Sequence, residues 1–353
     1  MPGRFLALFF SFDLWLLHFV KNQWQTGIAL VRYLSIRKIL NLFLLYASFQ
    51  ISRVVKKPFM WGRPSTLSIE PTTSCNLRCP ECPSGLRSFT RPTGMISKEL
   101  YSEIVSQSKN NLSYLHLYFQ GEPFLHPDFL DLVQIADSHG IFTATSTNAH
   151  FISEKNVEKV LHSGLKQLIV SMDGMSQEVY QEYRIGGILE KVQSGLQLLL
   201  EARRKAGNTY PRVILQFLVT GQNEHQIPQL RTWAKAVGVD DLQLKSAQIY
   251  DFENGSPLIP KDLHYSRYLP SASGKWKLKQ PMENKCWRMW QGAVITWDGR
   301  MLPCCFDKDG KYTMGKIPKE PLNKIWRNAP YQRFRKQLLL DRKKIDICQN
   351  CTE

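Results

Sequence analysis

From Leu67 onward, short apolar runs alternate with segments of helical period. Leu67–Glu70, Leu115–Phe119, Phe142–Ser146, Gln167–Met172, Val213–Val219 and Asp241–Ser246 read as strands. Between them Ser97–Ser108, Asp128–Ser138, Glu154–His162, Leu189–Ala206 and Gln226–Ala236 read as helices, with Ser97 placed to cap the first. Gly140, Gly164, Gly207 and Gly238 stand just past helix ends, where a left-handed residue stops a helix. Repeated strand–helix alternation is the pattern of parallel βα units, so the fold class is α/β and an open (βα)6 barrel is expected over 67–250. Functional groups then belong at the C-terminal ends of the strands.

The grammar changes at both ends. Residues 251–283 are rich in Pro, Gly and Ser and read as a connector. Ala293–Thr296 and Met301–Cys304 flank Asp298-Gly299, a two-residue hairpin signal. A basic helical stretch, Leu322–Leu340, follows and is expected to break near Pro330. Residues 284–353 thus read as a small Cys-rich module. Residues 1–66 read as a helical N-terminal extension with two apolar runs, Phe5–Val20 and Ile39–Ile51. Each falls short of the roughly 20 apolar residues that span a bilayer. Two readings stay open: helices lying on an anionic membrane surface, or an extension packed on the main domain. A cleaved signal is a third, opposed by Asp13 inside the apolar run and by the lack of a small-residue cleavage site.

Composition adds a polarity to this outline. With 43% hydrophobic residues and no repeat, extended disorder and solenoid architectures are excluded. The net charge of +16 is concentrated at the ends. Residues 1–66 hold nine Lys/Arg against Asp13, and residues 311–344 hold eleven against Glu320 and Asp341. Such ends suit an anionic contact or serve as a solubilising surface. The basic helix invites nucleic acid, but no RNA-binding module accompanies it, so no specific nucleic-acid partner is expected.

Cysteine spacing supplies the chemistry. Three of the eight cysteines form Cys75-x3-Cys79-x2-Cys82, and the rest are Cys286, Cys304, Cys305, Cys348 and Cys351. A disulfide framework belongs to short secreted chains, and this chain is long. Three thiolates on one tight loop hold three irons of a [4Fe–4S] cube and leave the fourth open, as catalysis requires. Zinc more often takes paired Cys-x2-Cys units.

This loop, placed after a first strand, resembles the radical S-adenosylmethionine (SAM) superfamily. Three further segments at strand ends resemble that family in register. Gln120-Gly121-Glu122-Pro123 is similar to its GGEP motif, Ser146-Thr147-Asn148 to its TNG segment, and Ser171-Met172-Asp173-Gly174 to its S-x-D-G segment. Arg184 stands where relatives pair an arginine with the SAM carboxylate. Glu81 replaces the usual aromatic before the third cysteine, and Gln120 and Ala149 replace glycines. The resemblance implies a partial TIM barrel with catalytic and metal-ligating Cys75, Cys79 and Cys82. It implies a SAM site built from Gly121, Glu122, Pro123, Asn148, Ser171, Asp173 and Arg184. It also implies reductive cleavage of SAM to a 5′-deoxyadenosyl radical that abstracts hydrogen, fed by an external one-electron reductant of flavodoxin or ferredoxin type.

The C-terminal cysteines resemble the auxiliary-cluster module called SPASM, or its shortened twitch form. Five thiols fall short of two fully ligated clusters, so one auxiliary [4Fe–4S] cluster for electron transfer is implied. The implied ligands are Cys286, Cys304, Cys348 and Cys351. Adjacent residues on a strand point to opposite faces, so only one of Cys304 and Cys305 faces the cluster, and Cys305 remains an alternative. A zinc on four cysteines is the other reading of this set. His116, His126 and His150 lie near strand ends, and Asp251 and Glu253 beyond the sixth strand are candidate bases or solvated loop residues. The substrate is a peptide, as for relatives that mature peptides, or a small or lipid-linked molecule to be dehydrogenated or rearranged. A non-SAM iron–sulfur electron carrier is the remote alternative. The expected location is cytoplasmic, with peripheral contact at the inner face of the membrane through residues 1–66 as one reading.

Overall fold

The structure is a computed structural model that describes residues 30–352. The apolar run at residues 5–20 lies outside the described residues.

Six parallel strands form the centre: β1 (Thr66–Ile69), β2 (Tyr114–His116), β3 (Phe142–Thr147), β4 (Gln167–Ser171), β5 (Arg212–Val219) and β6 (Asp241–Ser246). They pair in chain order, and the sheet does not close, since β6 ends one edge. Every residue of β4 is buried, as a strand covered on both faces requires. The covering helices follow the predicted spans within a few residues. They are α3 (Lys98–Ser108), α4 (Phe129–Ser138), α5 (Val157–His162), α7 (Leu189–Lys205) and α8 (Ile227–Val237), while α1 (Ile36–Val55), α2 (Pro83–Leu86) and α6 (Gln177–Tyr183) complete the set up to β6. Ser97 caps α3 by accepting from Leu100 N–H, and Gly238 ends α8 at φ 84°.

The connector is not featureless: it contains the hairpin β7 (Tyr268–Pro270) and β8 (Trp276–Leu278). The C-terminal segment comprises α9 (Arg288–Gln291), β9 (Gly292–Ile295), β10 (Arg300–Leu302), β11 (Gly315–Lys316), α10 (Leu322–Arg327) and α11 (Ala329–Asp341). The break between α10 and α11 falls at Asn328, whose side chain caps α11. Its hairpin does not stand apart from the barrel. Strand β9 pairs in parallel with β1 from Thr66↔Gly292 to Ile69↔Ile295, giving one nine-stranded sheet.

This junction is locked by charge. Glu70, at the end of β1, is fully buried and accepts from Arg91 Nη1 at 2.9 Å and Nη2 at 2.5 Å. Trp297 N–H, from the β9–β10 turn, reaches the same carboxylate at 3.2 Å. One carboxylate thus joins β1, the segment after the cysteine loop, and the C-terminal hairpin.

Helix α1 contains the second apolar run, Ile39–Ile51, extended at both ends through Arg37, Lys38 and Arg53. It is 20 residues long with a mean hydropathy of 1.2, enough by length and composition to cross a membrane. Its polar residues face the protein: Lys38 Nζ donates to Gly140 O (2.8 Å), Asn41 to Arg63 O (2.9 Å) and Ser52 packs at Phe59. Its apolar stripe, Ile36, Ile39, Leu40, Phe43, Val54 and Val55, faces outward.

Glu70→Gln is expected to destabilise the fold by about 3 kcal/mol, because it leaves the Arg91 guanidinium buried without its counter-charge. Chemical denaturation of the apo protein checks this, and adding Arg91→Met is expected to restore part of the loss. A cost below about 1 kcal/mol would mean that the pair acts like an exposed ion pair.

Candidate functional site

The three-cysteine loop leaves β1 and folds back at α2. Cys79 is buried and Cys75 and Cys82 are half-buried. Gly85 of α2 lies so close to Cys79 that a Cβ there would meet its N and O at 2.5 Å, so a larger residue would displace the loop. Leu77 N–H donates to Cys75 Sγ at 3.4 Å, and Arg184 Nη1 approaches Cys79 Sγ at 4.0 Å. Burial pushes the Cys75 thiol up to about 12, with the negative charge of Glu122, Cys79 and Cys82 adding to it. Burial likewise raises Cys79, opposed by Arg184. Thiols so crowded need a cationic group to ionise together, and iron supplies it. Backbone and guanidinium donors aimed at sulfur also suit a cluster. The donor set therefore fits a [4Fe–4S] cluster.

The glycine–glutamate segment sits directly beside this loop. Gly121 adopts φ 75°, and a Cβ there would meet Thr72 O at 2.3 Å, so only glycine fits. Ser84 Oγ accepts from Gly121 N–H (2.9 Å) and Ser74 O from Glu122 N–H (2.8 Å). Pro123 then opens a short 3₁₀ turn capped by the Glu122 side chain. The Glu122 carboxylate is buried, accepting from Thr147 Oγ1 at 2.7 Å, Phe124 N–H at 3.2 Å and Asn148 N–H at 2.8 Å. Burial nonetheless raises its carboxyl to about 7. Asn148 Nδ2 donates to Asn76 Oδ1 at 2.8 Å, tying the end of β3 to the cysteine loop. Ala149 takes the left-handed conformation (φ 61°) at the position where glycine was the expectation.

Asp173 and Arg184 meet each other. Arg184 Nε donates to Asp173 Oδ2 at 2.5 Å, and Leu218 N–H donates to Asp173 Oδ1 at 2.7 Å. Asp173 therefore positions the guanidinium whose other arm faces Cys79. Ser171 ends β4, paired with Gln216, and is buried. The histidines have structural partners or settings. His126 bonds Ile96 O, and His150 accepts from Ile188 N–H and contacts Asn148 Oδ1. Burial holds His116 down at about 4 inside the barrel. Asp251 and Glu253 are engaged at the surface by Asn254 and Lys275. Glu81 reaches Tyr250 N–H at 2.8 Å, which brings an aromatic ring from beyond β6 beside the third cysteine. Sequence reasoning gave no role of their own to Asn76, inside the cysteine loop, or Thr147, inside the Ser146-Thr147-Asn148 segment, and missed Tyr250, which carries no motif.

A second cavity, of about 20 Å³, lies in the C-terminal segment and is lined by Cys286, Cys304, Cys348 and Cys351 among others. Phe306 N–H donates to Cys304 Sγ at 3.5 Å. Burial pushes Cys286 up to about 11, opposed by the nearby Arg342 guanidinium. Cys305 is not among the lining residues and turns towards Arg288 Nη1, at 3.7 Å. Four thiols around one apolar-walled space beside an arginine fit a fully ligated cluster. Among the described residues no three His, Cys, Asp or Glu side chains converge on a single metal ion.

A partial βα barrel with a three-cysteine loop after its first strand and a cysteine-lined C-terminal cavity is the architecture of radical SAM enzymes with an auxiliary centre. The chain belongs to the radical SAM superfamily, matched over residues 69–234, and carries the iron–sulfur cluster-binding SPASM domain, matched over residues 286–352. It therefore uses SAM, a [4Fe–4S] cluster and an auxiliary iron–sulfur centre. It is 26% identical over 302 residues to the tungsten-containing aldehyde ferredoxin oxidoreductase cofactor-modifying protein of Pyrococcus furiosus, covering 76% of this chain and 82% of that one. It is 24% identical over 296 residues to the SAM-dependent 2-deoxy-scyllo-inosamine dehydrogenase of Niallia circulans, covering 81% and 92%. The PqqA peptide cyclase of Rhodopseudomonas palustris matches at 25% over 203 residues, 57% of this chain and about half (52%) of that enzyme. In fold it is similar to Streptococcus suis SuiB bound to SAM, with a TM-score of 0.62 at 17% identity, covering 90% of this chain and 79% of that one.

The raised Glu122 carboxyl sets a pH dependence. An ammonium partner needs the carboxylate, so SAM affinity of the holoenzyme is expected to weaken as pH falls through about 7, roughly tenfold per pH unit below it. In the apo protein the sign is opposite: the raised carboxyl contributes stability at low pH that is lost as pH rises through about 7. Glu122→Gln is expected to cost SAM binding about 2 kcal/mol, roughly 30-fold, and to flatten its pH profile. Equilibrium dialysis with labelled SAM checks both, and an unchanged profile in the variant would remove Glu122 from the site.

Proposed function

We propose that the protein dehydrogenates a small organic substrate, with Cys75, Cys79 and Cys82 holding the SAM-binding cluster and Cys286, Cys304, Cys348 and Cys351 holding one auxiliary [4Fe–4S] cluster. The observation that carries this is the four-cysteine cavity. Four thiols satisfy every iron of a cube, so the auxiliary centre has no position for substrate and serves as an electron acceptor. When bound and reduced, the first cluster and SAM supply a strong hydrogen-atom abstractor. The substrate would then lose one hydrogen atom to it, one proton to solvent and one electron to the auxiliary centre, a balanced two-electron oxidation.

The chain's own residues have the positioning tasks. Glu122 accepts the SAM ammonium, with Gly121 and Pro123 shaping the approach, while Asn148 and Ser171 border the bound nucleoside. Asp173 holds Arg184 beside the cluster and the SAM carboxylate. An external one-electron donor of flavodoxin or ferredoxin type reduces the first cluster. The dehydrogenase relative, aligned over 92% of its length, supports a small substrate more than the peptide cyclase aligned over 52%. A peptide is the second reading, favoured by the presence of that cyclase among the relatives.

The outward apolar stripe of α1 and the absence of any Asp or Glu between residues 30 and 66 support peripheral contact with an anionic membrane. Full-length protein is expected to sediment with phosphatidylglycerol-containing vesicles, and Leu40→Glu with Phe43→Glu to weaken that binding at least tenfold, since each buried apolar side chain contributes about 2 kcal/mol. Undiminished sedimentation of the double variant would remove α1 as the contact.

The cluster assignment is tested by anaerobic reconstitution with iron counting and assay of 5′-deoxyadenosine. Wild type and Cys305→Ser are expected to hold about eight irons, Cys304→Ser about four, and Cys79→Ala to form no deoxyadenosine. Iron lost from Cys305→Ser but retained in Cys304→Ser would reverse the assignment.

A further inference from the structure

A cavity of about 690 Å³ opens between the segment that follows Cys82 and the C-terminal segment, with Pro83, Tyr250, Phe306 and Lys308 on its walls. Charged residues line it as well, and most are already committed. Arg91 pairs with Glu70, Arg300 with Asp298 and Lys311 with Asp346. Asp307 accepts the backbone N–H groups of Lys311 and Tyr312, each at 2.8 Å, and Asp309 accepts that of Thr90 at 2.8 Å.

Lys308 differs. It is half-buried, and its one hydrogen bond runs from Nζ to the Tyr250 hydroxyl at 3.1 Å, with Nζ 4.8 Å from the centroid of the same ring. Among the described residues no carboxylate lies within ion-pair distance of it. An ammonium carries three N–H donors, so this cavity-lining side chain has donor capacity beyond its bond to Tyr250. A like charge acts on it from Arg267, which donates to Asn350 O at 3.0 Å and leaves Nε buried with no partner. The Arg267 charge opposes that of Lys308, and burial already holds Lys308 below its usual pKa. A half-buried cation with spare donors is stabilised by an anion brought from outside.

The same lysine faces the catalytic loop. The Cys82 thiol and the Glu81 carboxyl both act on its charge from one side, and Cys305 does so from the other. Tyr250, its hydrogen-bond partner, is held by Glu81. A group bound at Lys308 is thus fixed between the first cluster loop and the C-terminal segment, where a substrate must lie to lose an atom to one centre and an electron to the other.

We propose that Lys308, supported by Tyr250 and Arg267, binds an anionic group of the substrate, a carboxylate or a phosphate, and so sets the substrate class as acidic. This rests on the reading of the two centres as flanking the substrate, and the test separates the two. Inorganic phosphate and acetate are titrated separately by calorimetry into the reconstituted holoenzyme with SAM bound. One of them is expected to saturate a single site, phosphate marking a phosphorylated substrate and acetate a carboxylate. Lys308→Met is expected to weaken that site at least tenfold with iron content and SAM binding unchanged, while Lys275→Met, on an exposed turn, leaves it intact. Wild type that holds iron and SAM but binds neither anion overturns the proposal, as does Lys308→Met that binds like wild type. Loss of iron or SAM binding in wild type would instead fail the enzyme reading itself.

Discussion

Strand β1 is hydrogen-bonded on both edges, to β2 and to β9, and the loop that carries Cys75, Cys79 and Cys82 hangs from its C-terminal end. The carboxylate of Glu70 stands at that point and holds Arg91 and Trp297 N–H together in a buried contact. A buried ion pair of this kind stabilises less than it specifies, because each charge is costly without the other. Here it specifies register. It fixes how the cysteine loop leaves the barrel and how the C-terminal hairpin lies against it, and so sets the relation between the two cysteine sites. Of the C-terminal cysteines, Cys304 follows β10 of the same sheet that positions the cysteine loop.

Both thiol sets face the same electrostatic difficulty and meet it the same way. Burial raises the thiols, and neighbouring thiols raise them further. Each set has an arginine beside it: Arg184 near Cys79, held by Asp173, and Arg342 near Cys286 and Cys348. Fixed cationic donors next to sulfur favour the ionised ligands and stabilise the negative charge that a cluster gains on reduction. Glu122 is the opposite case, a buried carboxyl raised to about 7 that an incoming ammonium would return to its ionised form.

Much of this was legible in the chain. Strands such as Gln167–Ser171 announce themselves as unbroken apolar runs, and helices such as Leu189–Lys205 by their 3.6-residue period and the glycine just beyond. The cysteine loop was legible because three ligands sit within eight residues. What escaped depends on partners distant in sequence. No local signal says that Gly292–Ile295 adds in parallel to Thr66–Ile69, more than 220 residues away, or that Asp173 would take Arg184. The helix Gln177–Tyr183 is too short for its period to register, and the hairpin Tyr268–Leu278 hides among turn-forming residues. The chain alone does not separate Cys304 from Cys305; the cavity lining, which includes Cys304, is what supports the proposed choice. In helix α1 the surprise was orientation, for Lys38, Asn41 and Ser52 tether it inward beside Leu45 and Phe49 while Ile36, Ile39, Leu40, Phe43, Val54 and Val55 face out.

The central claim is that one chain holds two distinct clusters, of which one is open to SAM and the other closed. Electron paramagnetic resonance of the dithionite-reduced holoenzyme, recorded with and without SAM, addresses it directly. Two superimposed [4Fe–4S]⁺ signals are expected, one shifting when SAM is added and one unchanged. A single signal, or a spectrum indifferent to SAM, would contradict the account.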